Sequence, residues 1–424
     1  MTTTINNEHK KLNFSSEREQ SQACLNSAEH EKNQGRKVLN VPNLRFPEFE
    51  GEWEEERLAG IADLYKGTGI SKDQLSDDGE PCIVYGELYT KYKSETIREV
   101  ISKTNINNTK LVKSKANDVI IPCSGETAED IATARCVLNG NILLGGDLNI
   151  IRLHGYDGAF MSYQLNGRRK YDIAKVAQGV SVVHLYGEHL KGVKTINPCL
   201  EEQKKIASLL ALLDERITTQ NKIIEDLKKL KSAIVEKLYK VIQGTWYSYR
   251  QLFSIINERN KQLEYSNVLS ASQERGMVSR EDLNLDIHFE RSNISTYKIV
   301  KNGDYVIHLR SFQGGFAFSE KTGICSPAYT VLRPNNLLVY GYLSNYFTSR
   351  DFVKSLIIVT YGIRDGRSIN VDEWLDMKVV IPSKEQQTHI VNVIESIENK
   401  IKNEETYSNC LLNQKQFLLR QMFI

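Results

Sequence analysis

The chain repeats itself. The block Pro198-Cys-Leu-Glu-Glu-Gln-Lys-Lys-Ile206 realigns with Pro382-Ser-Lys-Glu-Gln-Gln-Thr-His-Ile390 at a shift of 184 residues, and self-similarity at a fixed shift marks a duplicated structural unit. At the same shift, without a gap, Ile217 falls on Ile401, Leu227 on Leu411, Lys231 on Lys415, Ile234 on Leu418 and Leu238 on Met422. Upstream the likeness thins to a pattern: Asn117-Asp-Val-Ile-Ile121 resembles Gly303-Asp-Tyr-Val-Ile307, and Gly179 precedes Pro198 much as Gly362 precedes Pro382. The halves therefore share architecture but not surface residues, which suits a protein that meets two different targets.

Each repeated block leads into a heptad pattern. After Pro198, residues Ile206, Leu210, Leu213, Ile217, Gln220, Ile224, Leu227, Lys231, Ile234, Leu238 and Val241 step by four and three. In the second copy the steps give Ile390, Ile394, Ile397, Ile401, Glu404, Ser408, Leu411, Lys415, Leu418 and Met422, with more polar residues at mid-helix. So narrow a seam predicts two long helices packed on each other. A duplicated unit within one chain brings them together most simply as an antiparallel coiled coil about a pseudo-twofold axis. Neither stretch contains proline, and Gly244 is expected to close the first helix. About 36 helical residues at ~1.5 Å span roughly 54 Å, on the order of 16 base pairs at ~3.4 Å each. Such a pair is a spacer.

The fold class expected is α+β, with two heads of mixed β-sheet and short helices separated by the long helices. The predicted layout is a disordered or tail-like stretch 1–40, a first head 41–198, a helix 199–244, a second head 245–382 and a second helix 383–424. In the first head, Ile83-Val84-Tyr85, Asp118 to Ile121 and Asn141 to His154 read as strands and Tyr171 to Ala177 as helix. In the second, Asp304 to Leu309 and Tyr329 to Leu332 read as strands, with a helix near Tyr340 to Ser349. A chain of 424 residues with 40% hydrophobic and 25% charged residues can bury two such cores.

The net charge of +2 excludes binding through a large basic excess, so any affinity for nucleic acid rests on local patches or partners. The candidates are loops that set donors on flexible backbone, as base readout requires. Lys66-Gly-Thr-Gly-Ile-Ser-Lys72 offers Lys66, Thr68, Ser71 and Lys72, but lacks the residue order of a nucleotide-binding P-loop. Tyr89 with Lys91, and Arg168 with Arg169, form further local patches. In the second half, Arg310, Ser311 and Gln313, and then Tyr361, Arg364, Arg367 and Ser368, stand on glycine-rich turns.

Catalytic chemistry is missing from the pattern. Seven cysteines (Cys24, Cys82, Cys123, Cys136, Cys199, Cys325, Cys410) include no CxxC pair, and the eight histidines form no HExxH, so neither a zinc site nor a redox pair is expected. The cysteines read as reduced, several of them buried. Asn197-Pro198 is followed by Cys199, so the Asn-Pro-Pro-aromatic motif with which adenine methyltransferases hold a flipped base is not there. No apolar run approaches the ~18 to 20 residues of a membrane span, and Met1 to Lys10 has no signal-peptide core, so no membrane partner and a cytoplasmic location are expected. A catalytic methyltransferase or nuclease with an unrecognised site is one alternative, and a coiled-coil adaptor that binds only protein is another.

Three motifs carry a family resemblance over about residues 41 to 424. Pro42-Asn-Leu-Arg-Phe-Pro-Glu-Phe-Glu-Gly-Glu-Trp53 is similar to the opening of the specificity subunits of type I restriction-modification systems. The other two are the Pro-x-x-Glu-x-Gln-x-x-Ile blocks at Pro198 and Pro382. The resemblance implies two target-recognition domains that each read half of a bipartite site on double-stranded DNA, separated by antiparallel conserved helices. It also implies two methyltransferase subunits and two ATP-driven restriction subunits as partners. S-adenosylmethionine, ATP and Mg then belong to those partners, and this chain has no cofactor of its own. Residues 1–40 are longer than the family opening requires, and Glu404 and Ser408 depart from an apolar seam.

Overall fold

A computed structural model describes residues 40–106, 110–179, 182–272, 275–283, 291–308, 315–361 and 368–424. The fold is α+β and divides into two compact units, one of Met1–Glu215 with Asn413–Ile424, the other of Arg216–Leu412.

In the first unit, β1 (Glu54–Arg57) leads through the helical turn Leu58–Ile61 into β2 (Ala62–Lys66). The other strands that frame it are β3 (Asp118–Pro122), β4 (Arg135–Val137), β5 (Leu148–Leu153) and β6 (Lys194–Asn197). β6 closes back on β1 in antiparallel register, Glu54 opposite Asn197. The main sheet runs β2, β5, β3, β4 and then the short strand Thr96–Ile97. β3 is buried along its whole length. Its alternating side chains serve two cores, Val119 and Ile121 on one face and Ile120 on the other, which is why the run reads as continuously apolar. α1 (Gly158–Asn166) packs beside this sheet, and its first turn is capped by the Asp157 carboxylate, which accepts from the Phe160 amide at 2.8 Å.

The predicted strand Asn141 to His154 is broken in two. Leu143–Leu144 belongs to a second, four-stranded sheet and β5 to the main one. Gly145-Gly146-Asp147 makes the crossing, with Asp147 at φ +59°. The strand read at Ile83-Val84-Tyr85 spans Glu80–Ile83 instead, because the Val84 carbonyl accepts the Glu87 amide and turns the chain into a helical turn.

The second unit uses the same order. β7 (Thr245–Ser248) pairs with β12 (Lys378–Ile381), Thr245 opposite Ile381. The helical turn Tyr249–Leu252 leads into β8 (Phe253–Ile256), and the sheet runs β8, β11 (Thr330–Pro334), β9 (Tyr305–Ile307), β10 (Phe316–Phe318). Two predictions are corrected here. The helix expected near Tyr340 to Ser349 is a series of turns ending in the 3-10 turn Tyr346–Thr348; Gly341 takes φ +71°, and the Ser349 side chain caps a separate helix, Arg350–Ser355. Gly244 does not close the long helix, which ends at Lys240. A Cβ at 244 would lie 2.3 Å from the Ile381 carbonyl oxygen, so glycine is required by the approach of two strands.

The long helices are α2 (Leu200–Lys240) and α3 (Lys384–Gln421). Along α2, Ile206, Leu210, Leu213, Ile217, Gln220 and Ile224 are buried. Leu227, Lys231, Ile234 and Leu238 are half-buried, Val235 is buried beside them, and Val241 is exposed beyond the helix end. Along α3, Ile390, Ile394, Ile401, Ser408 and Leu411 are buried, as is Met422 just past its end, whereas Ile397, Glu404, Lys415 and Leu418 are half-buried. Lys231 meets Glu398 at 2.6 Å and Asn221 meets Ser408 at 3.0 Å in the second unit. In the first unit Asp214 meets Lys415 at 2.6 Å. The repeated glutamine explains part of the repeated motif. Gln203 donates to the Pro198 carbonyl and accepts from the Asp157 amide, while Gln387 donates to the Pro382 carbonyl and accepts from the Val339 amide. Both are 1% exposed. Each staples a helix start to its own head.

Candidate nucleic-acid interface

Three chain segments of the first unit converge at the Lys66 end of β2. β2 and β5 place Lys66 opposite Asn149, and Gly67 passes so close to Gly145 that a Cβ there would sit 2.0 Å from its carbonyl oxygen. The Lys66 ammonium lies 3.8 Å from the Asp147 carboxylate. Just past β3, Cys123 donates its amide to the Asp147 carbonyl at 2.7 Å. Ser124 Oγ then lies 3.5 Å from Asp147 Oδ2 and 3.3 Å from His184 Nδ1. Val183–His184 pairs antiparallel with Ser124–Gly125, and the buried Asn149 amide donates to the Leu185 carbonyl. Tyr186 stands against His184 and His189 with 51% of its surface exposed.

The result is a cation, a carboxylate, a hydroxyl, an imidazole and an exposed aromatic held on strand ends. Such a set can accept and donate to base edges and stack on a base or sugar, and strand ends hold it more tightly than a free loop would. Burial pushes the neighbouring Cys123 thiol up to about 11, against a smaller opposing pull from Lys66, so it is a filler and not a nucleophile. Among the described residues no group of histidine, cysteine and acidic side chains could hold a metal ion. No helix is long and apolar enough to cross a membrane among those residues. Cys82, Cys123, Cys136 and Cys325 are buried free thiols, and Cys199 and Cys410 are exposed free ones.

Of the residues singled out in the sequence, Lys66 belongs to this cluster and Thr68, Ser71 and Lys72 follow it on an exposed loop. Thr68 Oγ1 donates to the Lys110 carbonyl at 3.2 Å, Ser71 donates its amide to the Gln74 side chain, and Lys72 opens a 3-10 turn. Others are taken up by the frame. Tyr89 donates to the Ser124 carbonyl at 3.0 Å, and burial raises its phenol well above the ordinary value. Lys91 neutralises the buried Glu87 at 2.7 Å. Arg168 donates to the carbonyls of Arg420 and Phe423, and Arg169 to that of Ile424, so the basic run serves the carbonyl end of α3. Arg310, Ser311, Gln313, Arg364 and Arg367 lie outside the described residues, while Tyr361 and Ser368 face each other as backbone partners of a two-residue ladder.

Sequence reasoning missed Ser124, Asp147, Gln178, His184 and Tyr186, although a signal existed. Asp118 and Asp304 do the same work: each accepts the amide three residues before it and holds an arginine in bidentate fashion, Arg152 and Arg333. Six residues on from these aspartates stand Ser124 and Arg310. Likewise Gln178 pairs with His184 just before Gly179, as Tyr361 pairs with Ser368 just before Gly362. The second-half candidates thus stand at matching offsets along the sequence from these landmarks.

Residues 50–229 match the family model described as the type I restriction modification DNA specificity domain. The type I restriction enzyme MjaVIII specificity subunit of Methanocaldococcus jannaschii is 28% identical over 197 residues, which cover 46% of this chain and 43% of that protein. The match therefore spans less than half the length of that curated relative. Among solved structures, the S subunit of a type I restriction-modification system from M. genitalium aligns with a TM-score of 0.55 and 15% identity, covering 91% of this chain and 99% of that one. A chain from a structure of complex assembly and conformational transition in the type I R-M system aligns with a TM-score of 0.56 and 14% identity, over 92% of this chain and 99% of that one. At such identities the structures establish a shared fold.

Proposed function

We propose, from the premise that the chain belongs through residues 50–229 to the type I restriction-modification DNA specificity family, that it is the DNA-reading subunit of such a complex and carries no catalysis itself. The first head presents the strand-end surface described above to one half of a bipartite site on double-stranded DNA, and the second head reads the other half. The observation that carries this reading is the repeated frame: two sheets in the same strand order, each with an aspartate–arginine clamp and a glutamine staple, under faces whose residues differ. One frame under two faces is what reading two half-sites requires.

The long helices are the spacer. The steps of their polar pairs support an antiparallel coiled coil: Lys231 with Glu398 and, at a shift of 184 residues, Lys415 with Asp214. Each pair is the other's counterpart in sequence, and Gln220 contacts Glu404, the residue 184 positions on, within the second unit. At 41 residues and ~1.5 Å each, α2 is about 60 Å long.

Methylation and cleavage are assigned to partners: two methyltransferase subunits that bring S-adenosylmethionine, and two restriction subunits that bring ATP and Mg. Their phosphate contacts account for a DNA-reading chain of net charge +2. The test is methylome sequencing of a host carrying the cognate methyltransferase with and without this chain. A split methylated motif that vanishes without the chain is the expected result; methylation by the purified chain alone would overturn the reading.

A further inference from the structure

In the first unit, residues 42–53 lie along the start of α2 and the end of α3. Leu44 donates its amide to the Gln421 carbonyl, Arg45 forms a bidentate pair with the 1%-exposed Glu202 carboxylate, and Lys205 pairs with Glu48 and lies over the Phe46 ring. Phe46 packs on the core that includes Ile206 and Met422. The chain covers this groove with its own Leu-Arg-Phe-Pro segment.

The second unit has the counterpart groove, and among the described residues no such segment covers it. Only residues 241–244 separate the end of α2 from β7, too few to fold back across it. A cavity of 670 Å³ remains, lined by Leu238, Val241, Ile242, Gln386, His389 and Ile390 among others. Four of these are the counterparts, 184 residues on or back, of side chains at the covered site: Gln386 of Glu202, His389 of Lys205, Ile390 of Ile206 and Leu238 of Met422. The apolar floor is kept while both charged anchors are replaced, the acid by an amide and the ammonium by an imidazole.

We infer that the Leu238–Ile390 groove of the second unit is a docking site for an extended segment of a partner protein, of Leu-x-aromatic-Pro chemistry and uncharged where residues 42–53 carry Arg45 and Glu48. The covered groove shows what backbone shape fits, and the loss of Glu202 and Lys205 sets the change in charge. A neutral occupant leaves no buried charge unpaired at Gln386. The docking is independent of DNA reading.

The probe is a fluorescent peptide of residues 41–53 with Arg45→Gln and Glu48→Gln, titrated against the full chain by anisotropy. Saturable binding is expected, weakened about tenfold or more by Val241→Glu, which places a charge in the groove at a position too exposed to endanger folding, and untouched by Glu202→Gln in the first unit. No saturable binding, or binding that Glu202→Gln weakens and Val241→Glu does not, would overturn the assignment. So would self-association of the chain in sedimentation that Val241→Glu abolishes, since the occupant would then be a second copy. A Val241→Cys chain supplies the check on the partner. Maleimide labelling at 241, read by mass spectrometry, is expected in the isolated chain and suppressed in the assembly isolated from its host; equal labelling in both contradicts a partner in the groove.

Discussion

The two heads are built to one plan and filled with different material. The first packs β3 and α1 with Val119, Ile121, Met161 and Leu165, and the ring stacking in that core is confined to one contact chain, Trp53, Phe160 and Phe423. The second is an aromatic core in which Tyr249, Phe253, Tyr305, Phe316, Phe347, Phe352 and Trp374 touch one another. What both retain is polar: the aspartate after the turn into the central strand, its arginine, and the glutamine at the helix start. Cores tolerate wholesale exchange when volume is kept, whereas a buried carboxylate or amide needs its particular partners. The frame is therefore remembered by a few hydrogen-bonding residues.

The largest expected effect tests that division. Trp374 is fully buried and stacks on Tyr249 at 4.3 Å, and its removal leaves a cavity among four rings, Tyr249, Phe253, Phe316 and Phe347. Trp374→Ala is expected to cost about 3–5 kcal/mol. Urea unfolding followed by limited proteolysis should show the second unit opening first while the first keeps its midpoint. Simultaneous loss of both would mean the cores are not independent.

Lys415 and Lys231 occupy corresponding places in the repeat but not equivalent surroundings. Lys415 sits between Glu95 and Asp214 at 14% exposure, with Tyr163 and Ser94 also donating to Asp214. Burial alone would lower its pKa, but the two carboxylates outweigh burial and hold it above the ordinary lysine value. A raised folded value means the contribution is present at and below neutral pH and lost only as pH climbs through that value. Lys415→Ala strands two carboxylates and is expected to cost about 3 kcal/mol or more, whereas Lys231→Ala, at a more exposed pair, should cost under about 1 kcal/mol. Thermal melts of both variants at pH 7 decide it; equal losses would mean that burial does not set the value of these pairs.

The aspartate clamps are expected to differ less. Arg152 is 19% exposed and Arg333 34%, against carboxylates that are buried in both heads. Asp118→Asn and Asp304→Asn should each cost about 1–3 kcal/mol, the first more than the second. Chemical denaturation would reveal the order, and a reversed order would mean that solvent at Arg333 is not screening its clamp.

The long helices were legible because a pattern stepping by three and four survives duplication, and β3 because two-sided burial makes an unbroken apolar run. The cluster at the Lys66 end of β2 was not. Ser124, Asp147 and His184 come from three segments that only the sheet brings together, and nothing local marks them. Arg168 and Arg169 misled for the opposite reason: two adjacent arginines look like a solvent-facing patch, yet here they satisfy carbonyls left open at a helix end. The break at Gly145-Gly146-Asp147 was written in the residues, but alternation on either side of it reads as one long strand.

The last effects expected are on recognition and not on stability, and they separate two kinds of contact on the first head. Lys66 is well exposed and pairs with Asp147 only at 3.8 Å, so its ammonium can turn to a phosphate. Lys66→Ala should weaken DNA binding by the assembled complex for every sequence alike and lower the salt slope by about 1. His184 is fixed by a strand pair and by Ser124, so on the proposed reading its ring would meet one place on the duplex. His184→Ala should relax the sequence preference of one half-site by about 1–3 kcal/mol and leave the other unchanged. Binding measured over a library randomised in both half-sites tells the two apart. If His184→Ala relaxes both half-sites equally, the faces are not read independently, and one frame under two faces ceases to explain the split site.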